Sequence, residues 1–150
     1  MPNTGSTRTA MPWRWSSAAV VAAIAASGCI HQTHTYYKPT AGESRLSQDQ
    51  LRDQSDDMLK IECPRLMGTN QSATGEAKLR IEYDKTGAVQ QAEILRASND
   101  SQVDTVWGAL AARLKFQPQA GQTDDLKGAI LTFGYSCAPN VAITTLQIPE

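Results

Sequence analysis

From Ala77 to Tyr83 the chain alternates without a slip. Ala77, Leu79, Ile81 and Tyr83 are apolar, and Lys78, Arg80 and Glu82 between them are charged. A period of two is the pattern of a strand with one buried and one wet face. Asp84-Lys85-Thr86-Gly87 follows, a turn sequence in which Gly87 is free to take positive φ. In the next run, Ala88 to Ala97, the alternation slips between Val89 and Ile94, and a β-bulge near Gln90 and Gln91 explains the slip. The two runs read as an antiparallel hairpin, whose apolar face must be covered by something else in the chain.

The cover is legible downstream. Val103, Val106, Trp107, Leu110 and Leu114 fall at i, i+3, i+4, i+7 and i+11, one apolar face of a helix. Asn99 or Asp100 caps its start and Pro118 follows its end. Trp107 on that stripe reads as core. From Ala129 to Cys137 the alternation returns, with Ala129, Leu131, Phe133, Tyr135 and Cys137 on one side, so Cys137 is expected to point inward. Upstream, Ser47 is a helix cap, Asp49 suits the first turn and Lys60 the last. Apolar positions in that helix are sparse (Leu51, Met58, Leu59), so it is expected to lie on the surface, with Pro64 ending it or following its end. The order is helix, strand, strand, helix, strand.

The N-terminal part has a different character. Small and aliphatic residues run from Ala18 to Ser27; Arg8 and Arg14 precede them, and no acidic residue occurs before Glu43. A basic start, an apolar middle and a small-residue end make a secretory signal, with Met11 as a second candidate start. Ser16 to Ile30 is short of the roughly 20 apolar residues of a membrane-spanning helix. The run exits through Ala26-Ser27-Gly28-Cys29, which resembles the lipobox of bacterial lipoproteins, although Ala26 stands where leucine is usual. That resemblance implies cleavage before Cys29 and a diacylglycerol on its thiol. Ile30, rather than aspartate, at the next position implies sorting to the outer membrane. Residues 30–46, IHQTHTYYKPTAGESRL, are polar and aperiodic and read as a tether. Cys29, His31 and His34 are a weak metal set, because a lipidated cysteine offers no thiolate.

With Cys29 taken, Cys63 and Cys137 remain as an even pair in an exported, oxidising setting. A bridge between them closes a loop of about 70 residues, worth on the order of 4 kcal/mol in the chain-entropy account. Charge excludes one class of partner. The chain carries 14 Lys and Arg against 15 Asp and Glu, and removing Arg8 and Arg14 leaves 12 against 15. There is no basic stripe to neutralise phosphates, so no nucleic-acid partner is expected. Catalysis has little to work with: both histidines precede the first helix, and neither a Gly-rich phosphate loop nor H-E-x-x-H or G-x-S-x-G occurs. Asp56-Asp57 and Asp124-Asp125 read as solvated pairs. We expect no enzyme, no cofactor and no metal.

Gly75 to Cys137 resembles the C-terminal domain of TonB-type energy transducers. The residues that carry the likeness are Gly75, Leu79, Ile81, Asp84, Gly87, Val89, Ile94, Ser98, Asp104, Phe116, Pro118, Gly121 and the strand at 129–137. Only Cys63-Pro64 stands near the place of the family's P-x-Y-P entry motif. The resemblance implies a two-layer α+β domain, a three-stranded antiparallel sheet packed on helices. It also implies binding of a short segment of an outer-membrane receptor by strand addition. The expected organisation is a signal at 1–28, a tether at 29–46, the domain at 47–140, and a tail or extra strand at 141–150. The candidate edge is the last strand, at Ile130, Thr132, Gly134 and Ser136, because it carries no Pro or Lys, whereas Lys78, Arg80 and Lys85 guard the first. Val141 to Leu146 has strand character and is a rival for that edge. A complete transducer needs an inner-membrane helix and a long Pro-rich linker, and the tether here holds Pro39 alone. The expectation is therefore a lipid-anchored, exported envelope protein that binds a protein or peptide on the periplasmic side. The alternatives are a structural envelope lipoprotein without a transport role, and a TonB-type transducer that keeps its N-terminal segment as an anchor. Ser27 and His31, four apart, match a spacing within the TonB membrane anchor, but the lipobox covers the same residues.

Overall fold

The computed structural model describes residues 34–118, 120, 121, 123 and 125–148. The signal segment, Cys29, His31 and Asp124 lie outside the described residues. Seven elements follow one another: β1 (Tyr36–Tyr37), α1 (Gln48–Met67), β2 (Ala73–Asp84), β3 (Val89–Arg96), α2 (Ser101–Ala112), β4 (Leu126–Ala138) and β5 (Val141–Gln147). The architecture is α+β. The sheet has five strands rather than three, in the order β1-β3-β2-β4-β5, every neighbouring pair antiparallel.

β2 is the axis of the sheet. It pairs with β4 in unbroken register from Ala73↔Cys137 to Asp84↔Leu126. Ala77, Leu79 and Ile81 on β2 and Leu131, Phe133 and Cys137 on β4 are fully buried on the face that the helices cover. Its other neighbour, β3, slips in register twice. The slip between Glu82 and Tyr83 leaves Gln90 unpaired, so the bulge falls where the broken alternation put it. At the turn, the Asp84 carboxylate accepts from the Thr86 hydroxyl (2.6 Å) and from the Thr86 N–H (2.8 Å). These bonds, the Thr86 hydroxyl first, hold the Asp84 carboxyl below its ordinary range against a smaller cost of burial. Gly87 has φ 84, and a Cβ there would stand 2.2 Å from the Phe116 carbonyl oxygen. Only glycine lets the turn dock on Phe116, whose N–H donates to the Gly87 carbonyl at 2.8 Å.

α2 is capped by Asp100, whose carboxylate accepts from the Val103 N–H at 3.0 Å. Trp107 is completely buried and stacks on Phe133 with ring centroids 5.1 Å apart. Its indole N–H has no hydrogen-bond partner. Gly108 has a packing reason for standing in mid-helix, because the Tyr37 ring occupies the space of its missing side chain. Tyr37 thereby docks β1 onto α2, while β1 pairs with β3 at Glu93 and Ala92. Leu46 is buried and bridges to Leu114. The stretch read as a tether is therefore built into the domain from residue 34 onward.

α1 buries Leu51, Ser55, Leu59 and Cys63, a single stripe at every fourth residue. Pro64 does not end it. The helix continues to Met67 and stops at Gly68, whose N–H reaches the Pro64 carbonyl at 3.2 Å. Proline in the last turn costs one backbone bond, and continuing the helix lets Leu66 and Met67 pack against the core. Cys63 bridges to Cys137 with a Cα–Cα separation of 5.4 Å, so the pairing expected from cysteine count is present. Among the described residues no helix is long and apolar enough to cross a membrane.

Arg65 ties the end of α1 to the start of α2 by a two-pronged bond to Asp100, at 2.7 and 2.9 Å. The Arg65 guanidinium, helped by the Val103 N–H and opposed by burial, holds the Asp100 carboxyl down to about 2. An unfolded aspartate titrates near 3.9, so this contribution is complete above about pH 4 and is lost as pH falls through about 2. Asp100→Asn should flatten that part of the acid limb, which urea midpoints measured at pH 7, 4 and 2.5 would check. Cys63→Ser should cost about 2–5 kcal/mol, measured by denaturant unfolding under non-reducing conditions beside wild type.

Candidate functional site

A sheet offers a partner its edges, where N–H and C=O groups lack a neighbouring strand. One side of the sheet ends in the two-residue β1, so most of β3 behind it has no neighbouring strand on that side and is covered piecemeal. β1 pairs with it at Ala92 and Glu93, and the Val89 N–H donates to the Leu114 carbonyl at 3.0 Å. The Arg45 guanidinium donates to the Val89 carbonyl as well. On the outer face near this edge, His34 Nδ1 pairs with the Glu93 carboxylate, which also lies 3.7 Å from the Arg80 guanidinium. His34 therefore has a carboxylate partner within the sheet, and among the described residues no group of three or more His, Cys, Asp or Glu is placed to hold a metal ion.

The other edge is β5. The four residues expected to form an open edge are placed differently from that expectation. Thr132, Gly134 and Ser136 pair with Gln147, Thr145 and Ile143, so they stand on an interior stretch of β4, between β2 and β5. Only Ile130 lies past the end of the β4–β5 ladder, which stops at Thr132↔Gln147. The physical cause is the two-residue connection Pro139-Asn140. Pro139 presets its own φ, Asn140 takes φ 63, and the chain folds back as a tight hairpin. Of the two roles read for 141–150, residues 141–147 take that of an extra strand. The guard residues Lys78 and Arg80 sit on the central strand, where no edge needs guarding.

β5 reads Val-Ala-Ile-Thr-Thr-Leu-Gln, without a charge, a proline or a glycine. Its inward residues Ala142, Thr144 and Leu146 stand opposite Cys137, Tyr135 and Phe133. Its outward residues include Val141 and Ile143, about half exposed. The direction of its backbone groups follows from a single bond. The Thr144 N–H donates to Asp56 Oδ1 on α1 at 2.9 Å, so it points away from β4. N–H and C=O of one strand residue point to the same side, and the side alternates along the strand. Ala142, Thr144 and Leu146 therefore present their backbone groups to the outer edge, and Val141, Ile143, Thr145 and Gln147 present theirs to β4.

Two glycines shape the neighbouring surface. Gly75 lies opposite Tyr135, whose ring covers it; a Cβ there would stand 2.4 Å from the ring. Burial, and next the charges of Asp100 and Asp104, raise the Tyr135 phenol above its ordinary range and keep it neutral. Gly134, between Glu76 and Thr145, leaves a shallow depression of about 470 Å³ lined also by Thr74 and Ser136. It contains no histidine, cysteine or lysine, and its one carboxylate, Glu76, is paired with Arg96. A binding surface can be made from this, but no nucleophile–base pair stands in it.

Sequence reasoning missed Asp56. It read Asp56 and Asp57 as a solvated pair, and only Asp57 fits that reading, exposed and bonded to Lys60 at 3.0 Å. The one signal available was position: Asp56 follows Ser55 of the buried stripe and so sits on the flank of α1 nearest the core. The Thr144 hydroxyl beside this bond is buried without a partner. Compared with protein-family models, curated proteins and solved structures, the chain matches none.

Proposed function

We propose that this protein is an exported, lipid-anchored envelope protein whose α+β domain captures an extended segment of another protein by strand addition at β5. It performs no chemistry of its own and needs no cofactor. The observation that carries the reading is the composition and direction of β5. It is an outermost strand of seven residues with no charged or proline guard, and alternate backbone groups are turned outward. Edge strands of that kind are ordinarily blunted by lysine, proline or a bulge, and main-chain pairing with an extended peptide is a recurrent mode of recognition. The resemblance of Gly75 to Cys137 to the TonB C-terminal domain supports the same mode. It also supports an outer-membrane receptor as partner, with a role in TonB-dependent transport. The site moves outward by one strand, from Ile130, Thr132, Gly134 and Ser136 to the edge of β5.

The anchor half of the proposal rests on Ala26-Ser27-Gly28-Cys29. Mass spectrometry of the mature protein should find an N-terminus at a diacylated Cys29, in the outer-membrane fraction. An intact segment before Cys29 would favour the transducer that keeps its N-terminus as anchor, and an unlipidated terminus would remove the anchor altogether.

A second reading, a structural envelope lipoprotein that binds no transport partner, is favoured by β5 filling the edge of β4. Proline separates the two. Ala142→Pro deletes an outward N–H and leaves the β4 ladder whole, so the variant should fold with an unchanged circular dichroism spectrum. A photo-crosslinker at Ile143 should join wild type in envelope preparations to an extended stretch of one partner, and the Ala142→Pro form should lose that product. Full capture by folded Ala142→Pro would dismiss strand addition, and no product from wild type would leave the structural reading in its place.

A further inference from the structure

The Asp56–Thr144 bond spans 88 residues and joins a helix side chain to the backbone of an edge strand. Thr144 is the middle residue of the three whose backbone groups face outward, so the bond lies at the centre of the edge. The Asp56 carboxylate oxygen stands 2.9 Å from the N–H, the separation at which the carbonyl of an added strand would accept it. Both are acceptors for one donor. Occupation by one excludes the other.

We propose that Asp56 is a built-in competitor for the β5 edge, a latch whose carboxylate must swing away before an extended segment can pair with Thr144. The inference rests on strand addition at β5 and names how that site is regulated. The backbone of α1 cannot move aside to open it. Ser55 and Leu59 on either side of Asp56 are fully buried, and Cys63, two turns on, is bonded to Cys137. The side chain can turn without the helix, because Asp56 is half-buried rather than enclosed. Lys60, one turn along, is bonded to Asp57 at 3.0 Å and also lies within the field of Asp56 and Asp53, so the withdrawn carboxylate stays beside a positive charge. Arg52, one turn before, is exposed as well. The closed latch satisfies the central edge donor and keeps copies of the chain from pairing through β5. The open latch returns the donor to a partner.

Competition has a signature that a merely structural bond lacks: removing the competitor tightens binding. With the latch closed most of the time, apparent affinity falls by the fraction of open molecules. A charge-assisted bond of ordinary strength at a half-buried site corresponds to about a tenfold effect. The probe is a fluorescein-labelled peptide of the β5 sequence, VAITTLQ, for which antiparallel addition to β5 is a self-complementary pairing, and fluorescence anisotropy reads its affinity. Asp56→Ala should bind about tenfold more tightly than wild type, and Asp56→Asn, which keeps a weaker neutral acceptor, should fall between them. Adding Ala142→Pro to Asp56→Ala should abolish binding. Equal or weaker binding by folded Asp56→Ala and Asp56→Asn, with wild-type binding still lost in Ala142→Pro, would overturn the latch and leave strand addition standing. No binding by any form, Asp56→Ala included, would overturn both.

Discussion

The Cys63–Cys137 bridge fixes where α1 lies, and much of the surface follows from that position. α1 holds itself by a narrow buried row, Leu51, Ser55, Leu59 and Cys63, with Met58, Leu66 and Met67 only partly buried beside it. A helix with so narrow a seam has weak grounds for choosing one place on a sheet over another. The covalent bond removes the choice by pinning the last turns to the end of β4, and Leu51 and Leu59 then bury along the sheet from that fixed point. Two flanks of the helix acquire work as a result. Arg65 on one flank reaches the cap of α2, and Asp56 on the other reaches the edge of β5. Neither pair is near in sequence. Both exist because α1 cannot slide.

The remainder of the fold is held by contacts that repeat one device, glycine facing a ring or a carbonyl. Gly75 receives the Tyr135 ring, Gly108 the Tyr37 ring and Gly87 the Phe116 carbonyl. Each brings together elements that are distant in the chain: β2 with β4, β1 with α2, and the hairpin turn with the strand-like segment after α2. Ser98 and Asp104 add a polar example, in which a buried carboxylate accepts the Ser98 N–H at 3.0 Å and closes the corner between β3 and α2. Several positions that carry the TonB resemblance are these same contact residues, namely Gly75, Gly87, Ser98, Asp104 and Phe116. The resemblance thus falls on positions with structural duties, and it speaks to fold more directly than to function.

What the sequence disclosed is what local periodicity encodes. The hairpin, its bulge at Gln90, the α2 stripe as far as Leu110 and the inward Cys137 were readable, because each is a pattern within a dozen residues, whereas Leu114 falls past the end of α2 and bridges to Leu46 instead. The cysteine pair was readable by count. The failures have a common cause. Tyr36–Tyr37 is too short to show a period, and what makes it a strand is a hole at Gly108, on another element. Pro64 was read by its local rule, whereas the packing of Leu66 and Met67 outweighs one lost backbone bond. The candidate edge at Thr132, Gly134 and Ser136 followed from the absence of lysine and proline between 129 and 137, but proline is absent there for a different reason: an interior strand needs its N–H groups. Asp56 looked like any surface carboxylate, since its partner is a backbone group far along the chain.

The order β1-β3-β2-β4-β5 also separates two tasks in space. The chain enters the described domain through β1, which closes one side of the sheet with two residues and the Tyr37 ring. β5 closes the opposite side, four strand spacings away, or roughly 19 Å at the usual interval of about 4.8 Å. The entering side is patched by short pieces from three places, at residues 35–37, 45 and 114–115, so no continuous row of free backbone groups remains on it. Among the described residues, the β5 side is patched by one carboxylate. Piecemeal cover from several elements cannot be lifted without disturbing each of them, whereas one side chain can turn aside while the backbone stays where it is. Among the described residues, then, β5 is the edge that one side-chain bond covers, and this asymmetry is what the proposed strand addition depends on.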